Sequence, residues 1–465
     1  MTRMATKISP LSGFPELLPA QRVVEQRVID SLRATFELHG FANIETRAVE
    51  PMDQLLRKGE TSKEVYVLRR LQDADSGSDS GLGLHFDLTV PFARYVLEHA
   101  GKLEFPFRRY QIQKVWRGER PQEGRYREFA QADIDIVGRD VLPFHHDVEV
   151  ARVMVEALAG LDFLPGFTLQ VNNRKLIQGF YSGLGAPDVD AVMRIVDKLD
   201  KLPVERVAAL LVDEAGLTQD QAEQCLALAR IRTHDDSFLA QVEALGVSDP
   251  LLSEGLAELA ELVRACAPLA TERVSVVADL SIARGLDYYT GTVFETRLSG
   301  SESLGSICSG GRYDALADDG RTTYPGVGIS FGLSRTLVPL LAQGAVAADR
   351  PVPSAVLVAV GDEESRGDSD AVATALRANG VPCEVAPTAA KFGKQIKAAE
   401  RRGIPYVWFG PGSTADATHQ VKDIRSGEQV GADPATWTPP PEDLRPQVLS
   451  TVISTVISNT EETTK

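Results

Sequence analysis

The chain has 465 residues, 43% of them hydrophobic and 25% charged, which is ordinary globular usage and leaves room for about three domains at roughly 150 residues each. No apolar run approaches the roughly 18 residues a membrane-spanning helix needs, and the N-terminal MTRMATKISPLSGFPELLP lacks the continuous apolar core of a secretory signal, so no export is expected. A formal charge of −16 excludes a protein that coats nucleic acid indiscriminately, and four cysteines without a CxxC pair (Cys225, Cys266, Cys308, Cys383) fit a reducing cytoplasm and speak against a disulfide framework or zinc knuckle.

Residues 15–39 set apolar side chains at helical spacing behind a proline, with Gly40 as a stop signal, and predict a helix. FANIETRAVEP reads as extended. VYVLRRLQDADSGSDSGLGLHFDLTVPFARYV reads as a hairpin whose Asp/Ser/Gly tip, 72–83, joins two β-rich runs; in it Asp87 and Thr89 would share a strand face by alternation. YQIQKVWRG and REFAQADIDIVG predict an antiparallel pair around the loop ERPQEGRY. From about 143 to 275 the periodicity turns helical, with 176–270 as an insertion. Strands return at VSVVADLS, GLDYYTGTVFET, SICSGGRYDAL and GVGISFGLSRTLVPLL, the last passing into a helix. ADRPVPS at 348–354 reads as a linker, and beyond it AVLVAVG, ALRANG, PCEVA, KFGKQIKAAERRG and IPYVWFGPG alternate as strand and helix before a closing hairpin. The Pro-rich then polar C-terminus is expected to fray.

Several stretches carry chemistry. Across 108–128, Arg108, Arg109, Lys114, Arg117, Arg120, Arg125 and Arg127 outnumber Glu119, Glu123 and Glu128. Such charges commonly pair on a solvated face, yet two strands and their loop can bring forked cations to one small volume, which suits a triphosphate. There is no GxxxxGK[ST], and GVGISFG lacks the dinucleotide spacing, so its glycines are expected to permit close strand packing against a ligand. Gln131, Asp133 and Asp135 alternate along one strand face; a row of that kind either faces water or floors a site for an ammonium group. Tyr288 and Tyr289 read as core tyrosines with hydroxyls reaching a partner, or as part of that site. HHD at 145–147 lacks a spaced third ligand, and Asp147 reads as a helix cap.

Together these segments resemble the histidyl-tRNA synthetases, class II aminoacyl-tRNA synthetases, in order over nearly the whole chain. WRGERPQEGRYREF is similar to class II motif 2, GVGISFGLSR to motif 3, ARGLDYYTGTVFE and SICSGGRYD to the two histidine-specific motifs, and 354–432 to the anticodon-binding domain. The resemblance implies an α+β catalytic domain on a mixed, mainly antiparallel six-to-seven-stranded sheet (1–350, with the insertion), an α/β anticodon-binding domain (351–433) and a C-terminal tail (434–465). It implies ATP-dependent attachment of L-histidine to tRNA(His) through histidyl adenylate, with Mg²⁺ accompanying ATP and no resident metal, in a cytoplasmic homodimer without membrane contact.

Carried over residue by residue, the resemblance puts Arg117 at the α-phosphate and substrate carboxylate, Glu119 at the adenine edge, Arg125 at the γ-phosphate, Phe129 stacked on adenine and Arg335 clamping the nucleotide. Asp87, Thr89 and Gln131 would meet the histidine ammonium, Asp135 and Tyr289 the imidazole, with Tyr288 and Tyr313 completing the pocket. Arg284 would stand beside the α-phosphate and share catalysis with Arg117. The pattern departs at Arg47, where motif 1 has proline, at Ser334, where many relatives are acidic, and at Asp87 and Asp135, where some bacterial members carry glutamate. A regulatory subunit of ATP phosphoribosyltransferase is the rival of another class; Arg117, Arg335 and the residues beyond 354 speak against it.

Overall fold

The computed structural model describes residues 9–56, 64–71, 81–283, 285, 288–315, 317–411 and 418–450. Two ten-residue runs, Phe107–Trp116 and Glu128–Val137, pair antiparallel along their whole length, from Phe107 opposite Val137 to Trp116 opposite Glu128. They belong to a nine-stranded sheet: β1 Ala42–Asn43, β2 Phe107–Trp116, β3 Glu128–Val137, β4 Phe167–Asn173, β5 Arg232–Thr233, β6 Val274–Asp279, β7 Thr292–Leu298, β8 Ser306–Tyr313 and β9 Gly326–Phe331. The spatial order is β1-β2-β3-β9-β8-β7-β4-β6-β5, and only β1–β2 and β4–β6 run parallel. The sheet is mixed and mainly antiparallel, as expected. The two strands beyond the expected seven are two-residue edges, too short to show a period.

Register sorts the two faces. Residues directly opposite in adjacent strands point to the same side, so Gln111, Asp133, Ser330, Ser309, Glu295 and Gln170 form one polar row across six strands. One residue along, Tyr110, Ile134, Ile329, Gly310, Phe294 and Val171 form an apolar row, all buried. Helix His145–Ala159 packs on β9 and helix Pro250–Cys266 on β4.

Several expectations change. HFDLTVP is not a strand: Thr89–His99 is a helix, and Asp87 sits in the bend before it, its Oδ1 accepting from the Val90 N–H at 3.1 Å. Val90, Phe92, Ala93 and Val96 supply the buried face at helical spacing, which outweighs an alternation only three residues long. The strand Leu82–Leu84 pairs with Val49–Pro51, while Val67 bridges Gly83; the remainder of the expected hairpin tip, 72–80, lies outside the described residues. Asp147 is not a helix cap. It is buried in the first turn of its helix, where Arg312 of β8 donates to its Oδ2 at 2.6 Å and Thr292 of β7 to its Oδ1 at 2.6 Å.

The helical insertion comprises six α-helices between Arg174–Gly183 and Pro250–Cys266. Its boundaries carry local signals: Thr218 and Gln221 form a capping box, and Asp249 accepts from the Leu251 N–H at 2.7 Å with Pro250 opening the helix.

A second compact unit contains Glu16–Val28 and the residues from Leu340 on; the first contains the residues up to Pro15 and Ile29–Pro339. The second holds a five-stranded sheet, β10 Val356–Val358, β11 Cys383–Val385, β12 Tyr406–Phe409, β13 Gln420–Asp423 and β14 Gln429–Gly431, ordered β11-β10-β12-β13-β14. The first three strands are parallel and the closing hairpin antiparallel, with helices Arg366–Ala378 and Phe392–Arg401 between them in sequence. The expected linker is packed structure: Val346–Ala348 pairs with Val448–Ser450, and the Arg350 guanidinium, 1% exposed, donates to the Asp443 carbonyl at 2.7 Å.

Removing one partner from a buried ion pair leaves the other charge uncompensated, at a cost of about 3–5 kcal/mol. Arg312→Met should therefore lower the free energy of urea unfolding by about that amount, and adding Asp147→Asn should recover part of the loss.

Candidate active site

The polar row opens into two adjoining cavities, of about 90 Å³ and about 230 Å³, that share Arg117, Gln131, Ser309 and Ser330. The smaller is lined by Asp87, Thr89, Gln131, Asp135, Tyr288, Tyr289 and Tyr313. The larger is lined by Arg117, Glu119, Arg125, Phe129 and Arg335. The structure thus brings the described residues to which the resemblance gave substrate contacts together in these two cavities. Arg284 lies outside the described residues.

β3 supplies the floor. The Asp133 and Asp135 carboxylates are buried, a cost that needs nearby cations or donors. The Asp135 carboxylate receives Arg109 Nη2 at 2.6 Å and the Tyr313 hydroxyl at 2.8 Å. Burial, reinforced by the Asp135 charge, pushes the Tyr313 phenol well above its usual range and keeps it a donor. Asp133 lies 4.0 Å from the same guanidinium and accepts from Ser330 Oγ at 2.5 Å. Burial lifts its pKa to about 7 against the pull of Arg109. Gln131 donates from Nε2 to Ser330 Oγ at 2.9 Å, and its carbonyl Oε1 is buried with no hydrogen-bond partner among the described residues. An acceptor in that state fits an incoming ammonium.

The expected convergence of seven cations is narrower. Of those in 108–128, only Arg117 and Arg125 line the larger cavity. Alternation along β2 sends Arg108 to Glu149, at 3.0 Å, on the side opposite Arg109. Lys114 pairs with Glu128 at 2.5 Å, Arg127 donates to the Glu119 carbonyl at 3.1 Å, and Arg120 is exposed. The third cation of the cavity arrives from motif 3: Arg335, whose Nη2 donates to the Leu304 carbonyl at 2.6 Å. Arg117 is oriented by Nε donation to the Phe86 carbonyl at 2.9 Å and lies 5.2 Å from the centre of the Phe129 ring.

The glycines of GVGISFG face the chain's own side chains. Gly328 stands opposite Asp135, and a Cβ there would fall 2.1 Å from Asp135 Oδ1. At Gly326 it would fall 2.5 Å from the Tyr313 ring. These positions leave room for site residues before any ligand enters. Ser334, the departure from an acidic residue, accepts the Ala130 N–H at 2.9 Å and so pins the start of β3. The residue-by-residue resemblance gives no role to Arg109, Asp133, Ser309 or Ser330; Arg109 counts only within the basic run and Asp133 only within the alternating row, and Ser309 and Ser330 have no signal of their own.

A family profile described as histidyl-tRNA synthetase matches residues 13–336, and one described as an anticodon binding domain matches 354–435. The chain is 61% identical over 454 residues to a histidine–tRNA ligase of Cutibacterium acnes, covering 96% of this chain and 99% of that one. To a histidine–tRNA ligase of Micrococcus luteus it is 58% identical over 457 residues, again covering 96% and 99%. The crystal structure of histidyl-tRNA synthetase from Nostoc sp. PCC 7120 superposes with a TM-score of 0.80 at 32% identity, covering 98% of this chain and all of the other, 100%.

A mainly antiparallel sheet carrying an arginine-lined cavity beside a small polar one, with a separate C-terminal α/β unit, is the architecture of a class II aminoacyl-tRNA synthetase. The chain belongs to the histidyl-tRNA synthetase family, the enzymes that charge tRNA(His) with histidine.

Gly328→Ala should push the Asp135 carboxylate out of place. Loss of a hydrogen bond to a charged group costs about 1.5–3 kcal/mol, so the histidine KM should rise roughly ten- to a hundredfold while the ATP KM stays within about twofold, as read by pyrophosphate exchange.

Proposed function

We propose that charging proceeds in two steps: histidine and ATP form histidyl adenylate and release pyrophosphate, then the terminal ribose hydroxyl of tRNA displaces AMP. The observation that carries this reading is that a cation, Arg117, lines both cavities, so that it would stand where a carboxylate bound in one meets a phosphate bound in the other. Bringing two anions together needs positive charge at the developing phosphorane oxygens more than it needs a base. Arg117 and Arg284 would supply it from the chain, and Mg²⁺ would arrive with ATP as part of the substrate.

In the larger cavity Phe129 stacks on adenine, Glu119 meets its edge, Arg125 holds the γ-phosphate and Arg335 closes over the nucleotide. In the smaller one Asp87, Thr89 and Gln131 hold the ammonium, while Asp135, Tyr289, Tyr288 and Tyr313 enclose the imidazole. A ring with a donor and an acceptor on opposite sides satisfies a carboxylate and a hydroxyl at once; an aliphatic side chain would leave both unpaired, a strong ground for rejection. Residues 351–433 would read the anticodon, residues 1–350 would catalyse, and the enzyme would work as a cytoplasmic homodimer. No helix among the described residues is long and apolar enough to cross a membrane.

Purified protein should exchange pyrophosphate into ATP with histidine and with no other standard amino acid; a folded protein that exchanges none would fit the regulatory alternative. Arg284→Ala should slow adenylate formation roughly a hundredfold or more, the loss typical of one transition-state donor, with ATP binding within about threefold. An equal loss in both would make Arg284 a binding residue.

A further inference from the structure

The smaller cavity contains a hydrogen-bond chain that runs behind one of the contacts proposed above, Gln131. Gln131 Nε2 donates to Ser330 Oγ at 2.9 Å, and Ser330 Oγ donates to Asp133 Oδ1 at 2.5 Å. A hydroxyl has one hydrogen to give. An ionised Asp133 can only accept, so it takes that hydrogen, and Ser330 then has only lone pairs to show Gln131. The amide must present its NH₂ to Ser330, and its Oε1, unpartnered among the described residues, is left for the substrate. A neutral Asp133 removes the constraint: it can donate to Ser330, the serine hydrogen can turn to Gln131, and the amide can reverse and offer a donor to a cation.

We infer that Asp133, acting through Ser330, sets the direction in which Gln131 presents its amide, and thereby couples binding of the histidine ammonium to release of a proton from Asp133 to solvent. The inference rests on the histidine reading of the smaller cavity and makes Asp133 a positioning residue. The groups around it are Arg109, at 4.0 Å, and the Asp135, Asp87 and Cys308 side chains. Arg109 is already engaged by Asp135 at 2.6 Å, so it neutralises Asp133 incompletely. Burial and the two other carboxylates hold the Asp133 pKa up at about 7, and burial keeps the Cys308 thiol protonated. A bound ammonium favours the ionised form and lowers that pKa.

The sign follows. Above pH 7 Asp133 is ionised before histidine arrives; below it, each histidine bound must expel a proton. The histidine KM should therefore rise about tenfold between pH 8 and pH 6, the factor for a group with pKa near 7. The substrate's own imidazole titrates in this range as well, so the reading is the difference from Asp133→Asn, which lacks the ionisation and should lose that tenfold component. Ser330→Ala should raise the histidine KM at pH 8 about fivefold with kcat within threefold, and Ser330→Thr should restore it; thermal unfolding confirms that each variant is folded. An Asp133→Asn profile identical to that of the unmutated enzyme, or an unchanged histidine KM in Ser330→Ala, overturns the relay. Failure of the unmutated enzyme to exchange with histidine at pH 8 would instead remove the histidine reading, and the relay with it.

Discussion

One buried guanidinium supports the floor of the site. Arg109 is fully buried, binds Asp135 at 2.6 Å, lies 4.0 Å from Asp133, and has its guanidinium carbon 4.4 Å from the centre of the Phe92 ring. Without it, two carboxylates on alternate residues of a central strand would face each other in a low-dielectric interior, a situation that proteins avoid by pairing or protonating the groups. With it, one of them is fully matched and the other only partly. The asymmetry separates Asp135, held by two strong donors, from Asp133, held by one serine and lifted to about 7.

The surroundings keep this arrangement in register. Ser334 holds the Ala130 N–H, Gly328 clears a space beside Asp135, and Gly326 clears one beside the Tyr313 ring. On the opposite face of the sheet, Asp147 ties β7 and β8 to helix His145–Ala159 through Thr292 and Arg312. Arg312 precedes Tyr313 in the chain, so an ion pair in the apolar layer steadies a tyrosine on the polar one.

Much of this was legible from residue order. Alternation in FAQADIDIVG places Gln131 and Asp135 on one face, and the runs VSVVADLS, SICSGGRYDAL and GVGISFG contain observed strands because each has a clear period and a glycine or polar boundary, whereas in GLDYYTGTVFET the strand starts only at Thr292, after Tyr288 and Tyr289. What failed was local and short. Asp87 and Thr89 span too few residues for strand and helix to be told apart, and burial of Phe92 and Val96 decided for the helix. The basic segment reads as one cluster because sequence counts charges without their sides; β2 separates Arg108 from Arg109, and acids distant in sequence, Glu149 and Asp135, claim them. Arg350 falls in what reads as a linker because its neighbours are prolines, while its burial depends on Asp443, 93 positions away. Roles that depend on a partner across the sheet, such as that of Ser330, have no local signature at all.

The polar row that crosses the sheet from Gln111 to Gln170 has a consequence for assembly of the chain itself. A strand that paired one residue out of step would turn its amide or carboxylate toward the helices and its aliphatic residue toward water. Mispaired sheets would therefore be penalised by the same polar face that lines the two cavities, so the layout of the site doubles as proofreading while the chain folds.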